Sequence, residues 1–375
     1  MPSSFLNITR YIIFLINIVF IIPFLAACLL PFLPNTNWWV LGFAGIIFPL
    51  TLAAIILFLL FWLFIKPLYS LVNIVVLLIG LQQIMAVFAF NKNEIFRTNK
   101  RLNHIRILTW NIQYIEGTAN NGKERLQNRE AALNYLSTQH ADIICLQEYA
   151  NHNIADTTQT NEQAIIQKTG LVYTYFPTRN ASPHTHNFSV GSIIFSRYPI
   201  INSGFINYPN ATDKLLFIDI ANNKDTFRVY TTHLLSFKFG QKEYQAIETL
   251  KQQKDNSIDA SKTLYHKMKL GFQGRAIQTN IVCNQLQKSP YPSIICGDFN
   301  DVPNSFTYFN IRQQKQDAFL QKGFGIGRTF RGLSPTLRID YIFVDTTFKV
   351  HQFNIATNIK TSDHYALVAD IAYLH

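Results

Sequence analysis

Three runs of the chain, residues 11–33, 38–65 and 68–90, contain no charged side chain. About 20 apolar residues are enough to cross a bilayer as a helix. A secretory signal has an apolar core of only about 7–15 residues and is not followed by two further runs of this length. Pro23 and Pro49 kink helices that a membrane environment tolerates. Trp38, Trp39, Trp62 and Tyr69 sit at run ends, where amphipathic rings favour the membrane–water boundary. The sequence therefore predicts a membrane anchor over residues 1–91 with three transmembrane helices, at about 11–33, 38–65 and 68–90.

Orientation follows from the few charges present. Arg10 and Lys66 are the only charged residues before residue 92. Arg10 and the amino terminus precede the first span, which predicts an inside N-terminus and, after three crossings, an extracytoplasmic carboxyl portion. Lys92, Arg97, Lys100, Arg101 and Arg106 argue the other way, and the first helix is given the greater weight.

The remainder is a different material. Subtracting Arg10 and Lys66 from the 33 Lys and Arg leaves 31 basic residues against 22 acidic ones, a net charge of +9. Residues 92–104 read as a polar linker and 105–375 as one large domain. Strand-like runs recur at 105–110, 142–147, 191–196, 214–220, 226–234, 293–299, 338–344 and 365–371, with helical patterns at 123–139 and 275–287. This mixture is α/β. Cys145, Cys283 and Cys296 fall in apolar or helical patterns and form no disulfide framework, so they read as small core residues.

The strands share an unusual ending. IRILTW leads to Asn111, DIICLQ to Glu148, and TFRVYTT to His233. SIICG leads to Asp298 and Asn300, Asp340 lies inside RIDYIF, and Asp363 and His364 open the last strand as SDH. Each alone is an ordinary turn residue. Six such endings in one domain can converge on one rim of a sheet.

In this order TWN, LQE, TTHL, GDFND, RIDYIF and SDH resemble the endonuclease/exonuclease/phosphatase superfamily of Mg²⁺-dependent phosphohydrolases, over residues 105–375. Three spans ahead of such a domain resemble a bacterial membrane-anchored branch. The resemblance implies a four-layer sandwich of two mixed β-sheets flanked by helices, here preceded by the transmembrane helices. It implies a metal site at Glu148, Asn111 and Asp363, holding Mg²⁺ with Mn²⁺ as a substitute. It also implies catalytic roles for five residues. Asp298 would orient and deprotonate the attacking water, and Asn300 would donate to the phosphate. His233 and His364 would stabilise charge on the phosphoryl oxygens, and Asp340 would hold the His364 ring. The chemistry suits these residue types, because a hard cation held by carboxylates offsets the charge of the phosphate and helps a poor alkoxide leave.

The substrate is less constrained. A positive domain suits any anionic partner, nucleic acid or anionic membrane alike. Three spans keep the site near a bilayer and favour a lipid head group or related small phosphoester. A metal-dependent nuclease is the alternative, and a noncatalytic membrane-anchored binding module the second. The insert 236–275 carries Lys262, Lys267 and Lys269 beside Leu264, Met268 and Phe272, and reads as a helical arm able to rest on an anionic membrane surface.

Overall fold

The structure, a computed structural model, describes residues 3–374 except 93, 118, 120, 153–158, 178–188, 223–224, 241, 244 and 248–256. It divides into two compact units. The first comprises Met1–Phe88, Ser236–Ile277 and Asp301–Asn310; the second comprises Ala89–Leu235, Gln278–Asn300 and Ile311–His375.

In the first unit, helices Ser3–Cys28 and Gly42–Ile65 follow the first two apolar runs. Both are long and apolar enough to cross a membrane. Phe24 and Phe48, both fully buried, stack at 4.9 Å where these helices meet, while Leu57 and Phe64 are exposed. The third run, expected as a span over 68–90, forms two helices. Helix Pro67–Ile79 is bent by 63° from helix Leu81–Val87. The break falls at Gly80, where an added Cβ would meet the Phe24 ring at 2.3 Å. Just beyond it the buried Gln83 donates to the Cys28 carbonyl at 3.2 Å. A polar side chain that serves a helix end in an apolar setting is a physical reason to turn the chain there.

The described part of the arm packs against the segment joining the first two long helices. Helix Ser257–Gln287 begins in this unit. Its Tyr265 meets Trp39 edge to face at 4.8 Å, and Phe272 meets Phe43 at 5.6 Å. Lys269 lies over the Trp39 ring, and Gln273 donates to the Thr36 carbonyl at 2.8 Å. Lys267 pairs with Glu243 at 2.8 Å. Two of the three lysines expected on a free basic face are thus engaged within the unit. Residues 248–256 of the arm lie outside the described residues.

The second unit is the expected two-sheet α/β sandwich. One sheet has the order β13 (Phe348–Ile355), β14 (Leu367–Tyr373), β2 (Ile105–Asn111), β3 (Ile143–Asn151), β5 (Ser189–Ser196) and β4 (Tyr173–Tyr175). The other has β10 (Gln316–Asp317), β12 (Asp340–Val344), β9 (Ser293–Asp298), β8 (Asp225–His233), β7 (Lys214–Asn222) and β6 (Ile200–Asn207). Pairs β2–β3 and β8–β9 are parallel and the rest antiparallel, so both sheets are mixed. A small ribbon pairs β1 (Ala89–Phe90) with β11 (Phe324–Gly325).

The sheets face each other across one core, in which Ile107, Cys145 and Ile194 of the first meet Val229, Ile294 and Cys296 of the second. The strands at the centre are buried on both faces, which explains their continuous apolar runs. Outside the first sheet, helices Gly122–Thr138 and Asn161–Thr169 cover Leu108, Ile144 and Leu146. Asn121 caps the former, and Thr160 with Gln163 forms a capping box on the latter. Outside the second sheet, Tyr230 donates to the Gln285 carbonyl at 3.0 Å.

Candidate active site

The two parallel pairs bring four strand ends to one rim. In one sheet Asn111 pairs with Gln147. In the other Thr232 pairs with Gly297, His233 with Asp298, and Asp298 with Asp340 on its other side. Gln147 ties the sheets together beneath the rim, donating to Thr231 Oγ1 at 2.9 Å and to Thr109 Oγ1 at 3.1 Å.

Local backbone then aims the side chains. The β3–β5 ladder shifts register between Leu146 and Tyr149, and Glu148 in that bulge has φ +48°. A bulge re-aims a side chain at the cost of one ladder bond. Asn300 has φ +52°, a conformation Asn tolerates better than most residues. Gly297 has φ +136°, and a Cβ there would lie 2.0 Å from the Thr232 carbonyl oxygen. Only glycine fits that position.

Asp298 is the hub. Its Oδ1 accepts from the Asn300 backbone N–H at 2.8 Å, and its Oδ2 accepts from Asn111 Nδ2 at 3.1 Å. His233 Nε2 and His364 Nε2 each stand 3.6 Å from the same Oδ2. His364 Nδ1 is held by Asp340 at 3.0 Å, and His233 Nδ1 faces Asp213 at 3.5 Å. Glu148 Oε1 accepts from Asn111 Nδ2 at 3.1 Å and lies 3.6 Å from His233 Nε2. Asn300 Nδ2 donates to the Leu234 carbonyl at 2.8 Å, which occupies one of its two amide hydrogens. Asp363 contributes its backbone N–H to Gln113 Oε1 at 3.4 Å and senses the charges of Glu148 and Asp298.

Electrostatics assigns the charges. Burial opposes protonation of His364, but Asp340 and Asp298 outweigh it and push the pKa up to about 10. For His233 burial is likewise outweighed, by Asp213, Asp298 and Glu148, with a pKa pushed up to about 10. Burial raises the Asp298 pKa and Asp340 adds to the rise, while His364, His233 and Asn111 draw it down. Burial also raises the Asp363 pKa. At neutral pH two imidazolium rings therefore flank the Asp298 carboxyl group.

The tightest group of possible metal ligands among the described residues is Asp298, Asp340 and His364, with ligand atoms within 4.8 Å of one another. This differs from the expected set of Glu148, Asn111 and Asp363. In the tight group His364 Nδ1 is already bound to Asp340 at 3.0 Å. Glu148 has a side chain 32% exposed and, with Asn111 and Asp363, supplies hard oxygen donors suited to Mg²⁺. As a ligand Asn111 would present Oδ1, which accepts from the Gln113 N–H at 3.3 Å.

Several contributors were missed from the sequence. Asp213, one polar residue in the loop before β7, partners His233 as Asp340 partners His364. Thr329 Oγ1 accepts the backbone N–H groups of Ile339 and Asp340 at 2.9 and 3.1 Å. Ser362 Oγ donates to the Asn111 carbonyl at 2.7 Å and accepts from His364 N at 3.1 Å, fastening one catalytic loop to the other. The Phe330 ring lies 4.9 Å from that of His364. Of these, only Ser362 carried a sequence signal, as the first residue of SDH.

Two stacked mixed sheets with acids, amides and imidazoles gathered at their strand ends define the class of two-sheet phosphoesterase folds. The chain belongs to the Endonuclease/Exonuclease/phosphatase family, whose model matches residues 108–364. Members of that superfamily are in general metal-dependent hydrolases of phosphoesters. A second family model, a domain of unknown function (DUF8431), matches residues 10–87. Among solved structures, an endonuclease/exonuclease/phosphatase from Beutenbergia cavernae is similar over 72% of each chain, at 20% identity and TM-score 0.50. The human Nocturnin catalytic domain with bound sulfate is 19% identical, over 72% of this chain and 95% of its own, at TM-score 0.49. Truncated TDP2 from Caenorhabditis elegans is 15% identical, over 72% and 98%, at TM-score 0.47. At these identities the likeness concerns the fold. A search of curated proteins found no match.

Proposed function

We propose that the chain is a membrane-anchored, Mg²⁺-dependent phosphohydrolase acting on a lipid head group or a related small phosphoester. The observation that carries this reading is Asp298, held between Asn111 and Asn300 and flanked by two charged imidazoles at 3.6 Å. A carboxylate fixed in this way can orient a water and take its proton. His233 and His364 are placed to receive the negative charge that develops on phosphoryl oxygens. Asp340 and Asp213 keep both rings charged. Asn300 has a second amide hydrogen with which to bind a phosphate oxygen. Glu148, Asn111 and Asp363 would hold the cation, which when bound supplies Lewis-acid stabilisation of the phosphate.

The lipid preference rests on the apolar helices that precede the domain. The test is to reconstitute the full chain in liposomes with Mg²⁺ and to offer phospholipids, sphingomyelin, inositol phosphates and plasmid DNA. Release of a head group or of phosphate from a lipid or inositol substrate supports the reading. Turnover of DNA alone would replace it with a nuclease, and no turnover of any substrate would leave a binding module.

A further inference from the structure

The segment expected to be a linker forms one wall of a cavity of about 580 Å³ in the second unit. Its lining includes Ile95, Arg97, Arg101 and His104 from this segment, and Lys322 and His351 from the fold. None of these residues belongs to the catalytic rim. The wall is fastened rather than loose. Arg97 N donates to Gln352 Oε1 at 3.1 Å, and Gln352 Nε2 donates back to the Arg97 carbonyl at 2.9 Å. Arg106 reaches the same carbonyl at 2.9 Å and lies over the Phe96 ring.

The cavity is positive. Of its two acidic residues, Asp370 is held by a two-point pair with Arg106 at 2.6 and 2.9 Å and by Gln352 at 2.6 Å. That leaves Glu94 against Arg97, Arg101 and Lys322. The His104 and His351 rings stack at 4.1 Å. Burial holds both below the ordinary histidine pKa, assisted by nearby Arg and Lys side chains, though Asp370 opposes this at His104. The stacked pair therefore offers neutral N–H groups beside three cations, a setting that suits a phosphate group.

Apolar residues on its wall and close by along the chain are exposed. Ile95 on the wall is 92% exposed. Phe90 and Phe324, paired across β1 and β11, are 64% and 60% exposed. Phe324 follows soon after Lys322, and Phe90 follows closely on the last apolar helix, which ends at Val87. From Val87 to Ile95 the chain can extend no more than about 28 Å. Basic and apolar residues side by side, where a chain leaves a membrane anchor, match the two parts of an anionic phospholipid.

We infer that this cavity is a second, noncatalytic site that binds the phosphate head group of an anionic membrane phospholipid, with Ile95, Phe90 and Phe324 against its acyl chains. The inference rests on the reading of the N-terminal helices as membrane-spanning, and not on the hydrolytic reading of the catalytic rim. A free phosphate ion would satisfy the cations but would leave Ile95 exposed to water.

The test uses the full chain in phosphatidylcholine vesicles doped with photoreactive phosphatidylglycerol or photoreactive phosphatidylcholine, with adducts located by mass spectrometry. Peptides containing residues 94–104 and 351–353 should be labelled at least about tenfold more by the anionic lipid, since each basic residue near an anionic surface adds to binding. The variant R97E/R101E/K322E should fall to the phosphatidylcholine level, and R97K/R101K should retain the preference. Equal labelling by both lipids, or labelling unchanged by charge reversal, would overturn the site. Inorganic phosphate in the low millimolar range should leave most of the wild-type labelling, and its complete loss would overturn the assignment of the apolar residues to the acyl chains. Hydrolysis of a soluble phosphodiester, followed in the same vesicles, reports on the catalytic rim separately.

Discussion

Gly297→Ala is the substitution through which strand packing and catalysis are read together. The added Cβ would lie 2.0 Å from the Thr232 carbonyl oxygen and 3.1 Å from the Thr232 carbonyl carbon and amide nitrogen. These are backbone atoms in a paired strand, so no side chain can turn aside. Restoring ordinary contact needs strands β8 and β9 to part by roughly 1 Å or more, given carbon contacts of about 3.5–4.0 Å. A side chain at φ +136° costs about 1–3 kcal/mol, and overpacking adds about 1–3 kcal/mol. Taking about 4 kcal/mol in total, at about 2–4 °C per kcal/mol for a domain of this size, the thermal midpoint should fall by roughly 8–16 °C. Because Asp298 follows directly and pairs with His233, a shift of about 1 Å should also cost about 10²-fold in turnover. The assay is thermal denaturation of the full chain in detergent beside hydrolysis of a soluble phosphodiester. Gly122→Ala, where a Cβ meets nothing within 4 Å, is the control. A Gly297→Ala protein with an unchanged midpoint and turnover within about twofold of wild type would refute the assignment of strain to this position.

The remaining expectations concern metal, protons, packing and topology. Chelation should abolish hydrolysis, Mg²⁺ or Mn²⁺ should restore it, and Glu148→Gln should lower it by about 10²-fold or more; full turnover in chelator would exclude the metal. Asp298→Asn and His364→Ala should each lower kcat by at least about 10²-fold. Asp340→Asn should do less, and should move the alkaline limb of the kcat profile to lower pH. The sign follows from the raised His364 pKa of about 10: the charged ring is present below that value, and loss of Asp340 lowers it. The stabilisation linked to His364 is full below the unfolded value near 6.5 and fades as pH rises toward 10. Gly42→Leu, whose Cβ would meet the Phe272 ring at 2.5 Å, should cost about 1–3 kcal/mol and lower the thermal midpoint by several degrees. A reporter fused after His375 should be active outside the cytoplasm, and one active only inside would reverse the orientation.

The parts of the fold legible in the sequence are those whose signal is local. DIICLQ and SIICGDF are continuous apolar runs because β3 and β9 are buried on both faces. Edge strand β6 has no fully buried residue and β13 only three, and their mixed composition reads as loop. The rim residues Asn111, Glu148, His233, Asp298, Asn300 and Asp340 were legible because each borders an apolar run in the sequence, and the structure brings them together. Asp213 was not, since it reaches His233 only through the pairing of β7 with β8, a long-range event. The same applies to Gly80. Within a run of apolar residues a single glycine does not signal a bend, and the reason for the bend lies in the contact of Gln83 with Cys28. The segment 92–104 reads as a linker from its polarity, but Arg97 is bound to Gln352, and Arg106, itself paired with Asp370, holds the Arg97 carbonyl and covers the Phe96 ring.

The aromatic contacts of Tyr265 and Phe272 with Trp39 and Phe43 count membrane crossings by parity. If helices Ser3–Cys28 and Gly42–Ile65 each cross once, residues 29–41 emerge on one face of the bilayer and Lys66 on the opposite face. The arm touches Thr36, Trp39 and Phe43, so it shares a face with residues 29–41. Between Lys66 and the arm, the chain must therefore return across the bilayer an odd number of times. Among the described residues only the bent pair Pro67–Val87 is apolar enough to do so. A re-entrant hairpin, dipping in and coming back to the side of Lys66, would strand Tyr265 on the wrong face from Trp39. On that condition the 63° bend is a kink inside a complete crossing, and Arg10 and the arm lie on opposite sides of the membrane.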